Sequence, residues 1–208
     1  AFIISFRDWG IGSEIDITSG LFNFFNAILI AAVTILIHES VHRITSLYAG
    51  LRAEYKPWTF GLIFGVVIAF LTNGKAWIIL PGGIILHHLA AHRIGWWRYD
   101  ISVVTVGMLA LWGTMATMFF AIFLKLLNNI FPSALLEKAI LLNIALAIYT
   151  ILPIPPLNGS KIFYGSRMIY AFSLVFIIST SLLLMLDINP WLSVVSSFIL
   201  AVIAWVLY

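Results

Sequence analysis

The chain reads as an all-α polytopic membrane protein, a bundle of about six transmembrane helices with a short re-entrant or strand-containing segment near residues 51–89. Three observations predict this. Of 208 residues, 62% are hydrophobic and only 9% are charged, with a mean hydropathy of +1.10, whereas soluble domains carry about 25% charged residues. Apolar runs close to the ~20 residues that cross a bilayer core recur along the sequence. The breaks between them are short and hold Gly, Pro, Asn and aromatic residues, so no second soluble domain of ordinary size fits. The whole of 1–208 is therefore expected to be one domain: a lead-in over 1–20, a core over 21–160 and additional spans over 161–208.

Composition also excludes. Cysteine is absent, so disulfides and thiolate metal sites are out, and any metal must use nitrogen and oxygen donors. The net charge of +3 is scattered over span-flanking positions and makes no basic patch, so nucleic acid is not an expected partner; the lipid bilayer is. No series of charged, apolar and cleavage-site segments typical of a signal peptide opens the chain.

Taken in order, residues 1–20 are an acidic, glycine-punctuated lead-in, with a small strand expected over Phe2–Phe6. Leu21 to Tyr48 is the first long helix, closed by Ala49-Gly50. Residues 51–60 mix aromatics with cations, which is membrane-interface composition. Residues 61–72 are apolar but too short for an ordinary span, and Asn73-Gly74 is a turn signal. Residues 76–89 are apolar again around Pro81-Gly82-Gly83. This pair of segments reads as a re-entrant hairpin, or as a helix followed by a strand-like piece. Irregular backbone at membrane depth needs protein or a water-filled cavity beside it, so the pair is expected to border a cavity. Ile101–Leu127, Ile169–Leu186 and Trp191–Leu207 are clear spans, and Ala139–Leu152 is an apolar run that ends in Pro153-Ile154-Pro155-Pro156-Leu157-Asn158-Gly159.

Chemistry concentrates in the last third of the first helix, at His38-Glu39-Ser40-Val41-His42. Histidines four apart on a helix project from one face and can bind one Zn²⁺. Glu39, about 100° around the helix, is placed to serve as general base on an attacking water. Ionisable residues inside a span are expensive and mark function. A second histidine set, His87, His88 and His92, lies beside Arg93, Trp96, Trp97 and Arg98. It is either a further metal site or a group of interfacial histidines, and without a neighbouring carboxylate the interfacial reading is favoured.

Charge orients the chain. With the N-terminus outside and 61–89 re-entering, Arg43, Arg52, Lys56, Arg93, Arg98, Lys161 and Arg167 lie inside, against Arg7, Lys125 and Lys138 outside. Seven cations against three obey the positive-inside rule, and His42 and Asn158 then both lie toward the cytoplasmic side.

With these residues in view, the chain resembles the site-2 protease family of intramembrane zinc metalloproteases, in particular short archaeal-type members without a PDZ domain. The resemblance rests on His38-Glu39-Ser40-Val41-His42 in a membrane helix and on Leu152-Pro153-Ile154-Pro155-Pro156-Leu157-Asn158-Gly159, which looks like the family's L-P-x-x-P-L-D-G segment. The Ala53-Glu54-Tyr55 stretch, the Pro81-Gly82-Gly83 break and the order of spans also match, so that most of residues 20–190 is covered. The resemblance implies hydrolysis of peptide bonds within the transmembrane segments of membrane-protein substrates, in a prokaryotic cell membrane. It implies a zinc cofactor held by His38, His42 and the residue at position 158, Glu39 as catalytic base, and a strand-containing segment that pairs with unwound substrate. Pro81, Gly82 and Gly83 belong to that segment as candidate substrate-binding residues.

The sequence departs from the pattern in three places. Asn158 stands where the family has Asp; its amide oxygen is a neutral and weaker donor, and its alternative role is a turn residue capping its own loop ahead of Gly159. Thr150 stands where the family often has an oxyanion-stabilising Asn; its hydroxyl either keeps a weak form of that role or bonds back to its own helix, the second being favoured. The family's Gly-Pro pair is missing from Ile101–Met108. Two other functions compete. One is a catalytically weakened homologue that binds transmembrane clients, motivated by Asn158 and Thr150. The other is a metal transporter, motivated by five histidines but lacking an inverted repeat and a second carboxylate-rich span.

Overall fold

The computed structural model describes residues 1–5, 17–89, 100–186 and 188–207. Ten elements follow one another: α1 (Phe2–Ser5), α2 (Ile17–Tyr48), β1 (Leu51–Pro57), α3 (Thr59–Leu71), β2 (Gly82–His88), α4 (Val103–Ile130), α5 (Ala134–Ile151), α6 (Asn158–Gly165), α7 (Arg167–Met185) and α8 (Pro190–Leu207). Among the described residues, α2, α4, α5, α7 and α8 are long and apolar enough to cross a membrane. The thirteen residues of α3 are equally apolar, but at ~1.5 Å per residue they fall short of a ~30 Å core. Residues 59–88 thus form a short helix followed by a strand.

The protein-facing stripe of α2 explains how this helix is used. Its buried residues are Gly20, Ala27, Ile30, Thr34, His38, His42 and Ser46, spaced three, four or seven apart on one face. They are mostly small or polar, while Phe22, Phe25, Leu29 and Leu36 on the rest of the surface are exposed. Within a bilayer, helix contacts favour small and hydrogen-bonding groups because lipid already solvates the apolar ones. This helix packs on α4 and β1, and the stripe carries the histidine pair near its C-terminal end. One turn before His38, Thr34 Oγ1 accepts from Asn143 Nδ2 of α5 at 3.0 Å, and this pins α2 to the bundle.

The lead-in differs from expectation. Phe2–Ser5 is a single helical turn, with the N–H groups of Ile4 and Ser5 both donating to the Ala1 carbonyl. Its Ile3 and Ile4 are buried against neighbouring helices, and among the described residues no strand lies beside it to offer a ladder. Residues 51–57, expected as amphipathic interface, alternate instead with period two: Leu51 and Ala53 are buried, Arg52 and Glu54 exposed. β1 pairs antiparallel with β2, with Leu51 opposite His88 and Pro57 opposite Gly82. The α5 helix starts five residues earlier than the apolar run, because Ser133 caps it by accepting from Leu135 N–H at 3.3 Å and Glu137 sits favourably in the first turn. Three prolines without N–H groups, Pro153, Pro155 and Pro156, keep 152–157 out of the helix and turn the chain into α6. The α4 helix runs through 103–130 with no proline.

Candidate metal centre

Four elements build the site. His38 and His42 come from α2, and their Nε2 atoms lie 3.2 Å apart with the rings edge to face. They are 5% and 0% exposed, so both imidazoles are out of reach of lipid and bulk water. From α4, the Leu109 carbonyl accepts from His42 Nδ1–H at 2.9 Å. That bond fixes the tautomer and turns the Nε2 lone pair inward, the usual arrangement for a ligating imidazole. Also from α4, Gly113 provides the space: a methyl group there would overlap His42 Nε2 and its neighbouring ring carbons.

The third element is α6. Asn158, 1% exposed, reaches across 116 residues of sequence to place Nδ2 3.1 Å from His42 Nε2. Its side chain points into the site and not at its own loop. The fourth is β2. The Trp58 N–H donates to the Pro81 carbonyl, which makes Lys56–Gly83 and Glu54–Ile85 hydrogen-bonded pairs and leaves Tyr55–Ile84 as a non-hydrogen-bonded pair. The Ile84 N–H therefore points out of the sheet, and it donates to Asn158 Oδ1 at 3.1 Å. Gly83 lets this approach happen. A Cβ there would overlap the Pro156 carbonyl oxygen and stand 2.7 Å from Lys161 Nζ and 2.9 Å from Asn158 Oδ1. Gly82, at φ +126°, takes a conformation that favours glycine, and Pro81 uses its carbonyl to hold Tyr55 Oη and Trp58 N–H.

Glu39 is half-buried, and its Oε1 is buried without a hydrogen-bond partner. Tyr55 on β1 lies near it: burial, with the Glu39 carboxylate adding to it, pushes the Tyr55 phenol up to about 12. A cleft of about 600 Å³ runs beside the sheet, lined by Arg43, Arg52, Glu54 and Tyr55 among others. Lys161 of α6, absent from the sequence-derived site, borders Gly83 together with Asn158; burial lowers its ammonium to about 8. Thr150 is fully buried and donates to the Leu146 and Ala147 carbonyls at 2.7 and 3.2 Å, so its hydroxyl is engaged by its own helix. On the exposed face of the sheet, His87 lies 3.6 Å from Glu54, and His88 is exposed at the strand end. His92 and its neighbours Arg93, Trp96, Trp97 and Arg98 lie outside the described residues.

The histidine pair fits zinc: two buried, oriented imidazole nitrogens converge, and His38 Nδ1 is a buried nitrogen without a partner. The third position does not fit in the arrangement shown. Among the described residues no three His, Cys, Asp or Glu side chains gather to hold an ion. The polar atom nearest His42 Nε2 on α6 is an amide nitrogen, which has hydrogens and no lone pair to give.

The fold and site together define a polytopic membrane protein with a histidine-pair centre buried beside a small sheet. The chain is similar to a protein of Methanocaldococcus jannaschii named "putative zinc metalloprotease", with 27% identity over 141 residues that cover 65% of this chain and 68% of that protein. No protein-family model matches the chain, and no solved structure does.

Proposed function

We propose that the protein is a zinc metalloprotease of the site-2 type, which hydrolyses peptide bonds within the transmembrane segments of membrane-protein clients in a prokaryotic cell membrane. The observation that carries this reading is the buried His38–His42 pair on a spanning helix, met by a polar side chain from a second membrane-embedded break 116 residues away. The likeness to a protein named as a zinc metalloprotease supports the chemistry. The five spanning-length helices support the setting.

Each residue has a task in this reading. His38 and His42 would hold the ion, on the side toward the cytoplasm. Glu39, whose Oε1 is free of other bonds, takes a proton from the attacking water and returns it to the leaving amine. The cleft is lined by Arg43 of α2, one residue past His42, and by Arg52, Glu54 and Tyr55 of β1, and an extended client segment would bind there by its backbone. A second reading, a homologue that binds clients but cleaves them poorly, is favoured by one observation: Asn158 turns its amide nitrogen to the site.

The test is cleavage of a transmembrane client peptide in liposomes with buffered zinc, with the product mapped by mass spectrometry. We expect a cut inside the apolar segment, lowered at least about hundredfold by Glu39→Gln. Unchanged cleavage in that variant removes Glu39 from the mechanism. No cleavage by the protein and none by Asn158→Asp at saturating zinc would sink the protease reading.

A further inference from the structure

The polar groups at the site form a chain in which donors and acceptors alternate. The Ile84 N–H donates to Asn158 Oδ1 at 3.1 Å. Asn158 Nδ2 donates to His42 Nε2 at 3.1 Å. His42 Nδ1–H donates to the Leu109 carbonyl at 2.9 Å. The direction of this chain is forced. A backbone N–H can only donate, so an oxygen must face Ile84, and the amide nitrogen must then face the histidines. If the amide were turned to offer its oxygen to a cation between the histidines, the –NH₂ group would meet the Ile84 N–H, donor against donor, at a buried position. Leaving a buried donor unpaired costs on the order of 1–3 kcal/mol.

We propose that zinc occupancy and the hydrogen bond from β2 to Asn158 exclude each other in this chain, so that Asn158 is a latch holding the histidine pair in a metal-free, hydrogen-bonded state. The inference rests on the metalloprotease reading for the identity of the ion and deepens it. A carboxylate at this position would face no such choice, since one oxygen could keep Ile84 while the other met the cation. Electrostatics act in the same direction. Lys161 Nζ borders the same glycine as Asn158, and Glu39 is the only carboxylate on the adjoining turns of α2. By linkage, whatever draws β2 away from α6 favours the metal, and the metal loosens β2.

The experiment measures zinc per chain by elemental mass spectrometry after dialysis of the purified full chain, with helical circular dichroism as a folding check. Three forms are compared: the protein itself, Asn158→Asp and Ile84→Pro. The proline removes the outward N–H without breaking a ladder bond to β1, because Ile84 makes none. It also replaces a fully buried side chain, so its zinc value counts only where the helical signal and unfolding midpoint match those of the control Ile84→Ala, which changes the side chain and keeps the N–H. We expect well under one zinc in the protein, about one in Asn158→Asp with affinity raised at least about tenfold, and an intermediate gain in Ile84→Pro. Hydrogen exchange on the protein alone gives a second reading: saturating zinc should speed exchange in the peptide that contains β2. Zinc near one per chain in the protein, with β2 protection unchanged, overturns the latch and leaves the metalloprotease reading standing. A gain in Asn158→Asp without any in folded Ile84→Pro also overturns it, since missing charge and not amide orientation would then be the cause. Zinc near zero in all three folded forms overturns the metal reading and the latch together.

Discussion

Two regions of this molecule bury polar side chains, and they do so differently. In the α7–α8 pair, the buried Ser173 and Ser181 return their hydroxyls to carbonyls three or four residues back on α7, and Ser193 of α8 does so to the Asn189 carbonyl just ahead of its helix. At the α2–α4–α6–β2 junction, His42, Asn158 and Ile84 bond across sequence separations of 67, 116 and 74 residues. Both regions are buried and both contain polar atoms, so buried polarity does not by itself mark a site. The difference lies in the partner. A hydroxyl bonded to its own helix adds little that the helix lacks. A bond between elements fixes their relative position, and it fails if either moves.

The largest effect should come from filling the space that the junction depends on. In Gly113→Ala the new methyl overlaps the His42 ring, and neither that ring nor the α4 backbone can give way without breaking the bond to Leu109. Overpacking of this kind costs about 1–3 kcal/mol. We expect a lower unfolding midpoint in denaturant and loss of zinc retention even alongside Asn158→Asp. A variant as stable as the parent that binds zinc as well would show the junction to be plastic, and the contrast with α7–α8 would weaken.

How much of this could be read in the sequence follows the same division. The histidine pair was legible because its spacing matches the helical repeat and because ionisable residues are rare within so apolar a run. The break at 153–158 was legible because proline and asparagine interrupt an apolar run. The back-bond of Thr150 was among the expectations because it involves only residues three and four positions away. The remainder was hidden for a common reason. The Ile84 N–H and the Leu109 carbonyl are backbone groups that every residue carries, and only the packed topology selects these two. Gly113 and Gly83 act by lacking a side chain beside distant partners. The strand over 51–57 needed a partner some thirty residues away, and its cations and aromatics pointed to the interface instead. The helical turn at 2–5 went the other way, where apolar residues suited a strand that finds no pairing partner among the described residues.

An intermediate effect is expected one turn along α2. Asn143 Nδ2 donates both to Thr34 Oγ1 across the α2–α5 contact and to the Ala139 carbonyl within α5. It therefore has a partner of each kind in one side chain. Asn143→Leu removes the interhelical bond while keeping volume, and such bonds between membrane helices are worth about 0.6–2 kcal/mol. We expect a stability loss in that range, read from denaturant unfolding in detergent, with Thr34→Ala giving no further loss when combined. Additive losses would mean that the two residues do not act through their shared bond.

The smallest effect tests the other side of the comparison. Ser173 is fully buried, as His42 is, and its hydroxyl has two acceptors, at 2.8 Å on Ile169 and 3.0 Å on Tyr170. If burial and bond count decided importance, Ser173→Ala should be costly. But both carbonyls belong to the same helix, and Ser173 donates a second bond to groups already served. Removing the hydroxyl leaves no buried group newly unpaired, which is the condition under which deleting a polar group is nearly neutral. The expected change is under about 0.5 kcal/mol, the range of ordinary substitutions away from special features. A loss above about 1 kcal/mol would show that hydroxyls between α7 and α8 hold the helices together, and partner identity would no longer separate scaffold from site.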